Sequence, residues 1–122
     1  MQRLRLVLPL PPKVLSPNAR CHWAVKSKAV KLYRFGARVV AMSEWDSARD
    51  PLAECDILCT FHFKDRRKRD RDNLLASMKS AFDGIADAGI VANDSSFRHQ
   101  VEIGDPCAEP HVEITITERV TA

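Results

Sequence analysis

An α+β fold with the element order β-α-β-α-β-β is predicted by three observations. Four stretches alternate apolar and polar residues with the period of a half-buried strand. Two longer stretches repeat apolar residues at helical spacing. Clusters of Pro, Gly, Asn and Asp fall between them. The expectation is one domain over residues 1–122, a mixed sheet with helices packed on it.

The elements follow in order. Leu4, Leu6 and Leu8 alternate with Arg3, Arg5 and Val7, so residues 2–8 read as a strand. Pro9-Leu10-Pro11-Pro12 stops it, because proline supplies no ladder donor, and Ser16-Pro17-Asn18 continues the turn. From about His22 to Met42 the pattern is helical, with Val25, Ala29, Leu32, Gly36 and Val39/Val40 on one side. Lys31, Arg34 and Arg38 fall on the other, with Lys28 at the margin. Asp50-Pro51 marks a break. Residues 54–63 give the clearest strand: Cys55, Ile57, Cys59, Phe61 and Phe63 face one way, Asp56, Thr60 and His62 the other. A second helix starts with Asp72 or Asn73 as its N-cap. Leu74, Leu75, Met78, Phe82, Ile85 and Ala86 are its apolar face, and Ala88-Gly89 its end. Phe97, His99, Val101 and Ile103 make a third strand; Val112, Ile114 and Ile116 face inward from a fourth.

Charge is distributed unevenly. Residues 1–43 carry nine Lys or Arg and no acid, the remainder ten against sixteen acids, so a +9 part precedes a −6 part. A one-signed surface of this kind suits a polyanion, although a basic helix face without a ligand has the same composition. Cys21, Cys55, Cys59 and Cys107 form no CxxC pair and no zinc spacing. Cys55 and Cys59 share a strand face and read as buried thiols, which suit a reducing cytoplasm. Arg3 and Arg5 interrupt the apolar residues that a signal peptide needs, and no stretch has the length of a membrane span.

The chemistry concentrates after the second strand. Six of the eight residues from Lys64 to Arg71 are Lys or Arg, and Asp70 and Asp72 sit at the end of that run. Arg66, Arg67, Lys68, Arg69 and Arg71, with Lys31, Arg34 and Arg38 of the first helix, are the expected phosphate contacts. In an extended segment, carboxylates two apart point to one side, and a helix N-terminus favours anions. Asp94 follows 22 residues after Asp72 and can return toward the same region. Two or three carboxylates suffice for Mg²⁺, which keeps several waters, and Mn²⁺ can substitute. Such an ion neutralises charge that builds during phosphodiester hydrolysis, and an ammonium group can aid the leaving oxygen. Lys79, seven residues past Asp72, returns to nearly the same helix face about 10 Å along the axis. Each residue also has a structural reading. Asp72 serves equally as an N-cap, Lys79 as the i,i+4 partner of Asp83, and Asp94 as a turn residue. His62 and His99 read as strand residues, neither at metal-type spacing from another His or a Cys.

Asp70-Arg71-Asp72-Asn73-Leu74, Lys79, Asp83-Gly84-Ile85, Ala88-Gly89-Ile90 and Asn93-Asp94 together resemble the core pattern of RusA-type crossover junction endodeoxyribonucleases. Leu8-Pro9-Leu10-Pro11-Pro12 before Ser16-Pro17-Asn18 resembles their opening strand and proline turn. His22-Trp23, Lys26 and Lys31-Leu32-Tyr33-Arg34 resemble the first helix of phage-type members, and Val112 to Thr117 their last strand. The resemblance implies a RusA-like fold and a homodimeric, Mg²⁺-dependent enzyme that resolves Holliday junctions by paired symmetric nicks in DNA recombination and repair. It makes Asp70, Asp72 and Asp94 metal-binding catalytic acids and Lys79 the catalytic lysine. The chain departs from the family twice. Asn93 stands where an acid often precedes the last Asp, and some members place the lysine where this chain has Ala76.

Two other readings fit the same residues: a nucleic-acid-binding protein without catalysis, and a nuclease of this fold acting on flaps or forks. No motif specifies base-edge contacts, so a cleavage-site preference is not legible. The self-association surface is expected around Pro9–Pro17 or along an exposed sheet edge.

Overall fold

A computed structural model describes residues 3–46, 49–91 and 97–119. Strand β1 spans Arg3–Leu8, with Leu6 and Leu8 buried and Arg3, Arg5 and Val7 outward. The proline segment leads into a single 3-10 turn, Lys13–Leu15. Helix α1, Trp23–Glu44, is capped by His22, whose Nδ1 accepts from the backbone N–H of Ala24. Strand β2 is Cys55–His62. Helices α2, Arg71–Ser77, and α3, Lys79–Asp87, follow, then strands β3, Phe97–Ile103, and β4, His111–Glu118.

The four strands form one mixed sheet in the order β1-β4-β2-β3. β4 pairs antiparallel with β1 and β2, while β2 and β3 run parallel. The parallel pair is possible because the helical segment lies between its strands and can return the chain. Cys55, Ile57, Cys59 and Phe61 on β2 lie beside Val112, Ile114 and Ile116 on β4, all at most 1% exposed. This apolar face, with Leu6 and Leu8, packs under Tyr33, Ala37 and Ala41 of α1 and Ala81, Phe82 and Ile85 of α3. Each large aliphatic side chain buried here contributes about 1.5–3 kcal/mol. Burial pushes the thiols up, to about 11 at Cys55 and about 12 at Cys59, so both are held as uncharged core groups. All four cysteines are free, and of these Cys55 and Cys59 are buried.

Two expectations need correction. The buried stripe of α1 is not Val25, Leu32 and Val39, which are 54%, 63% and 49% exposed. It is Tyr33, Ala37 and Ala41, with Ala29, Val30 and Val40 at the border. Close approach to α3 selects small residues for the contact. Tyr33 anchors the face, its hydroxyl donating to the Pro9 carbonyl at 2.6 Å, and burial holds that phenol well above its usual pKa. The cations Lys31, Arg34 and Arg38 do lie outward.

The second helix is also two helices, because the backbone tightens at Met78. The Ser77 hydroxyl donates to the Leu74 carbonyl at 2.7 Å, and the Met78 N–H turns to the Leu75 carbonyl at 3.1 Å. Both bonds run to i−3 and interrupt the α ladder. The apolar period runs through this break unchanged, so periodicity alone reads one helix. The end is as expected: Ala88 caps α3, and Gly89 adopts φ +85°.

Candidate nucleic-acid interface

The basic run leaves β2 as an ordered loop. Asp65 organises it: its Oδ1 accepts from the Arg67 backbone N–H at 3.0 Å and from Arg69 Nη2 at 3.0 Å. The Arg67 N–H, then the Arg69 guanidinium, hold the Asp65 carboxyl below its usual range. Arg69 lies 3.7 Å over the Phe63 ring and donates to the Arg67 carbonyl at 2.9 Å, and its side chain is 18% exposed. It therefore shapes the loop from within. Arg66, Arg67, Lys68 and Arg71 remain exposed. Residues 65–69 and Arg71 form one wall of an open cleft of about 470 Å³, and Ile103, Gly104, Asp105 and Pro106 form the other. On the far side, Phe63, Arg67, Arg69, Asn73 and Leu74 face Leu10, Pro11 and Pro12 across a groove of about 440 Å³. The proline segment thus borders the basic loop, a proximity the sequence order does not show.

A direct electrostatic consequence can be measured. If the loop holds DNA as the sequence leads one to expect, replacing Arg66 and Lys68 together by Gln lowers the log–log salt slope of binding by about 2, one per phosphate contact. A slope equal to wild type in fluorescence-anisotropy titrations would remove the loop from the interface.

Asp70 is the N-cap of α2, in place of the expected Asp72 or Asn73. Its Oδ1 accepts from the N–H groups of Asp72 at 2.9 Å and Asn73 at 3.2 Å. Its backbone is extended, whereas Asp72 is already helical, so simple strand alternation does not relate the two carboxylates. Both are exposed, at the positive end of the helix and at the end of the basic loop. Asn93 and Asp94 lie outside the described residues. Lys79 Nζ is 3.6 Å from Asp83 Oδ1, the i,i+4 pair open from the sequence. Those two residues, with Lys26, Ser77 and Ser80, border a separate pocket of about 230 Å³ that neither Asp70 nor Asp72 lines.

The helix cations are divided. Lys31 and Arg38 are exposed on α1. Arg34 engages Asp87 of α3 through two bonds, at 2.7 and 2.9 Å, and these hold the Asp87 carboxyl below its usual range. This fork ties α1 to α3. None of the three lines the basic cleft.

One cluster is invisible in the sequence. Cross-strand register places His62 opposite His111, with Glu113 two residues along the same face. Among the described residues, this is the grouping of three side chains with metal-ligand chemistry whose donor atoms lie within 4.8 Å of one another. Sequence separations of 49 and 51 residues carry no spacing signal; only strand pairing brings these residues together. His99, by contrast, stacks on Phe82 at 4.2 Å and packs against the core.

No protein-family model matches the chain. A protein of Xylella fastidiosa (strain Temecula1 / ATCC 700964), described only as an uncharacterized protein, is 45% identical over 89 residues. The match covers 71% of this chain and 58% of that protein, so the chain spans little more than half the relative's length.

Proposed function

We propose that this chain is a RusA-type, Mg²⁺-dependent, structure-specific endodeoxyribonuclease that resolves four-way DNA junctions by paired nicks. The observation that carries the reading is local. Two exposed carboxylates, Asp70 and Asp72, stand at a helix N-terminus where an exposed cationic loop ends. Cations that hold a phosphate backbone would bring a phosphodiester to those acids. Asp70 and Asp72, with Asp94, are the residues that would hold Mg²⁺. Their all-oxygen chemistry fits an ion that takes few protein oxygens. Bound there, the ion supplies charge neutralisation at the reacting phosphate. The protein's part is to hold the backbone through Arg66, Arg67, Lys68 and Arg71 and to orient the Asp70 carboxylate by capping. Lys79 is the proposed ammonium partner of the leaving oxygen, and it must exchange Asp83 for substrate to act. Free thiols at Cys55 and Cys59 support the cytoplasm as the place of action. Among the described residues, no helix is long and apolar enough to cross a membrane.

A second reading is favoured by two specific contacts. Asp70 already serves as a cap and Lys79 already pairs with Asp83, the arrangement expected of a nucleic-acid-binding protein without catalysis. Cleavage of a labelled four-way junction, beside a linear duplex of the same sequence, separates the readings. The expected result is junction-selective nicking with Mg²⁺, none in EDTA, and binding without chemistry in Ca²⁺. Equal cleavage of the linear duplex would point to another substrate, and full activity in excess chelator would end the metal-dependent reading.

Paired nicks need two cutting centres, and two copies about a two-fold axis supply them most simply. The proposed contact is the outer stripe of α1, where Val25, Leu32, Phe35, Val39 and Met42 are 49–63% exposed. It continues into an apolar groove of about 330 Å³ between Pro9, Pro12, Leu32, Gly36 and Val40. Sedimentation is expected to give twice the 13.7 kDa chain mass at micromolar concentration, and Leu32→Asp with Val39→Asp to return it to one. A wild-type protein that stays monomeric on the junction yet makes paired cuts would refute the dimer.

A further inference from the structure

We infer that His62, His111 and Glu113 form a binding site for a divalent transition-metal ion, with Zn²⁺ as its representative, that fastens the loop between β3 and β4 to the end of β2. This site does not depend on the nuclease reading.

The sheet builds it. β2 and β4 are antiparallel with His62 opposite His111 and Thr60 opposite Glu113, so alternation puts the three ligands on one face. That face lies opposite the one covered by the helices. The two imidazoles stack with centroids 4.8 Å apart and planes 23° from parallel. Glu113 Oε1 is 3.9 Å from His62 Nε2 and 3.5 Å from His111 Nε2. A tetrahedral Zn²⁺ with bonds of about 2.0–2.2 Å holds its ligands roughly 3.4 Å apart, so small side-chain rotations close the site.

The other ring nitrogens decide its character. His62 Nδ1 lies 2.9 Å from the Asp105 carbonyl oxygen, and His111 Nδ1 lies 2.8 Å from that of Glu109. A carbonyl only accepts, so each Nδ1 carries a proton and donates. In the neutral ring, Nε2 is then the lone pair. Two imidazole lone pairs and a carboxylate, three acceptors, therefore converge. A divalent ion bound between them would engage all three acceptors at once. The Nδ1–H to carbonyl bonds are the outer contacts that orient ligating histidines. Arg5 completes that outer layer: its Nη2 is 2.7 Å from Glu113 Oε1. Two nitrogens and one carboxylate select Zn²⁺, Co²⁺ or Ni²⁺ over Mg²⁺, and three protein ligands leave a position open.

The backbone is shaped for His62. A Cβ on Gly104 would stand 2.6 Å from His62 Cε1 and 3.0 Å from its Nδ1. Asp105 and Glu109 both belong to the β3–β4 loop, whose Cys107 N–H also donates to the Phe63 carbonyl at 2.8 Å. Gly104, Asp105 and Pro106 are also the wall facing the basic cations across the cleft. A metal on Nε2 makes Nδ1–H a stronger donor, so loading the site stiffens that wall.

The test is calorimetric titration of the full chain with Zn²⁺ alone, with hydrogen exchange of the amides in 104–110 as a second readout. Wild type is expected to bind one more equivalent than Glu113→Gln, His62→Gln or His111→Gln, or to bind it about 100-fold or more tightly than they do. Exchange in 104–110 should slow with Zn²⁺ in wild type alone. Glu113→Gln keeps the size of the side chain and an acceptor for Arg5, so it removes a ligand without opening the fold. Gly104→Ala keeps all three ligands but displaces His62, and it should weaken Zn²⁺ as well. All four variants retain every cysteine, so thiol binding cannot produce the difference. Equal Zn²⁺ stoichiometry and affinity in wild type and Glu113→Gln, with exchange unchanged by the metal, would overturn the site. DNA cleavage is no part of the readout, so failure of the nuclease reading leaves this one standing.

Discussion

Asp72→Asn and Asp70→Asn are each expected to lower Mg²⁺-supported junction cleavage by about 100-fold or more while leaving junction binding intact or tighter. The size follows from losing a charged ligand at a reacting phosphate, where even one neutral hydrogen-bond donor is worth about 100- to 1,000-fold. The direction of the binding change follows from removing negative charge beside the basic loop. Asp70 is the informative position, because its carboxylate also caps α2 through two backbone N–H groups. Asn caps a helix about as well as Asp, so Asp70→Asn separates chemistry from folding. Asp70→Ala should lose both, adding about 0.5–2 kcal/mol of destabilisation. Asp94→Asn should match Asp72→Asn in rate. Rates near wild type in all three Asn variants, measured under single-turnover conditions on a labelled junction, would show that the acids are caps and turns.

Much of this architecture is legible in the residues, for reasons that also mark where legibility ends. Strands such as Cys55–His62 and His111–Glu118 are exposed by alternation, because a sheet with one covered face needs apolar residues at every second position. The cap falls on Asp70, two or three residues before the expected Asp72 or Asn73, since all three have suitable side chains and only backbone geometry chooses among them. Hydropathy places the α1 stripe one step round the helix because it weights Val25 and Leu32 above alanine. The fold instead buries Ala37 and Ala41, where α3 comes close. Composition shows the basic loop but not its division of labour. That Arg69 stacks on Phe63 while Arg66 and Lys68 stay exposed depends on Asp65, an acid inside the cationic run. The candidate acids are legible as a motif, but what brings the histidines together is the pairing of β2 with β4, segments far apart in the sequence.

Gly84 offers the sharpest test of how the helices meet. On an open helix, Gly→Ala stabilises by about 1 kcal/mol, because glycine loses more backbone freedom on folding. At Gly84 the sign should reverse. A Cβ there would run into the carbonyl oxygen of Arg34 and stand 3.0 Å from the Ala37 Cβ, so the collision is with the backbone of α1. That backbone cannot readily yield. The Arg34–Asp87 fork clamps the two helices beside the contact, and Tyr33 is tied to the Pro9 carbonyl. Gly84→Ala should therefore cost about 1–3 kcal/mol, and Gly84→Val more. Gly36, compared in the Leu32→Asp, Val39→Asp background that removes the proposed dimer contact, is the internal control: it lies mid-helix on α1, is exposed, and has nothing within 4 Å of an added Cβ. Gly36→Ala should stabilise by about 0.5–1 kcal/mol. Urea midpoints at unchanged slope report both values. Opposite signs at the two glycines would establish the close approach of α1 and α3, and stabilisation by alanine at both would mean that the helices stand further apart.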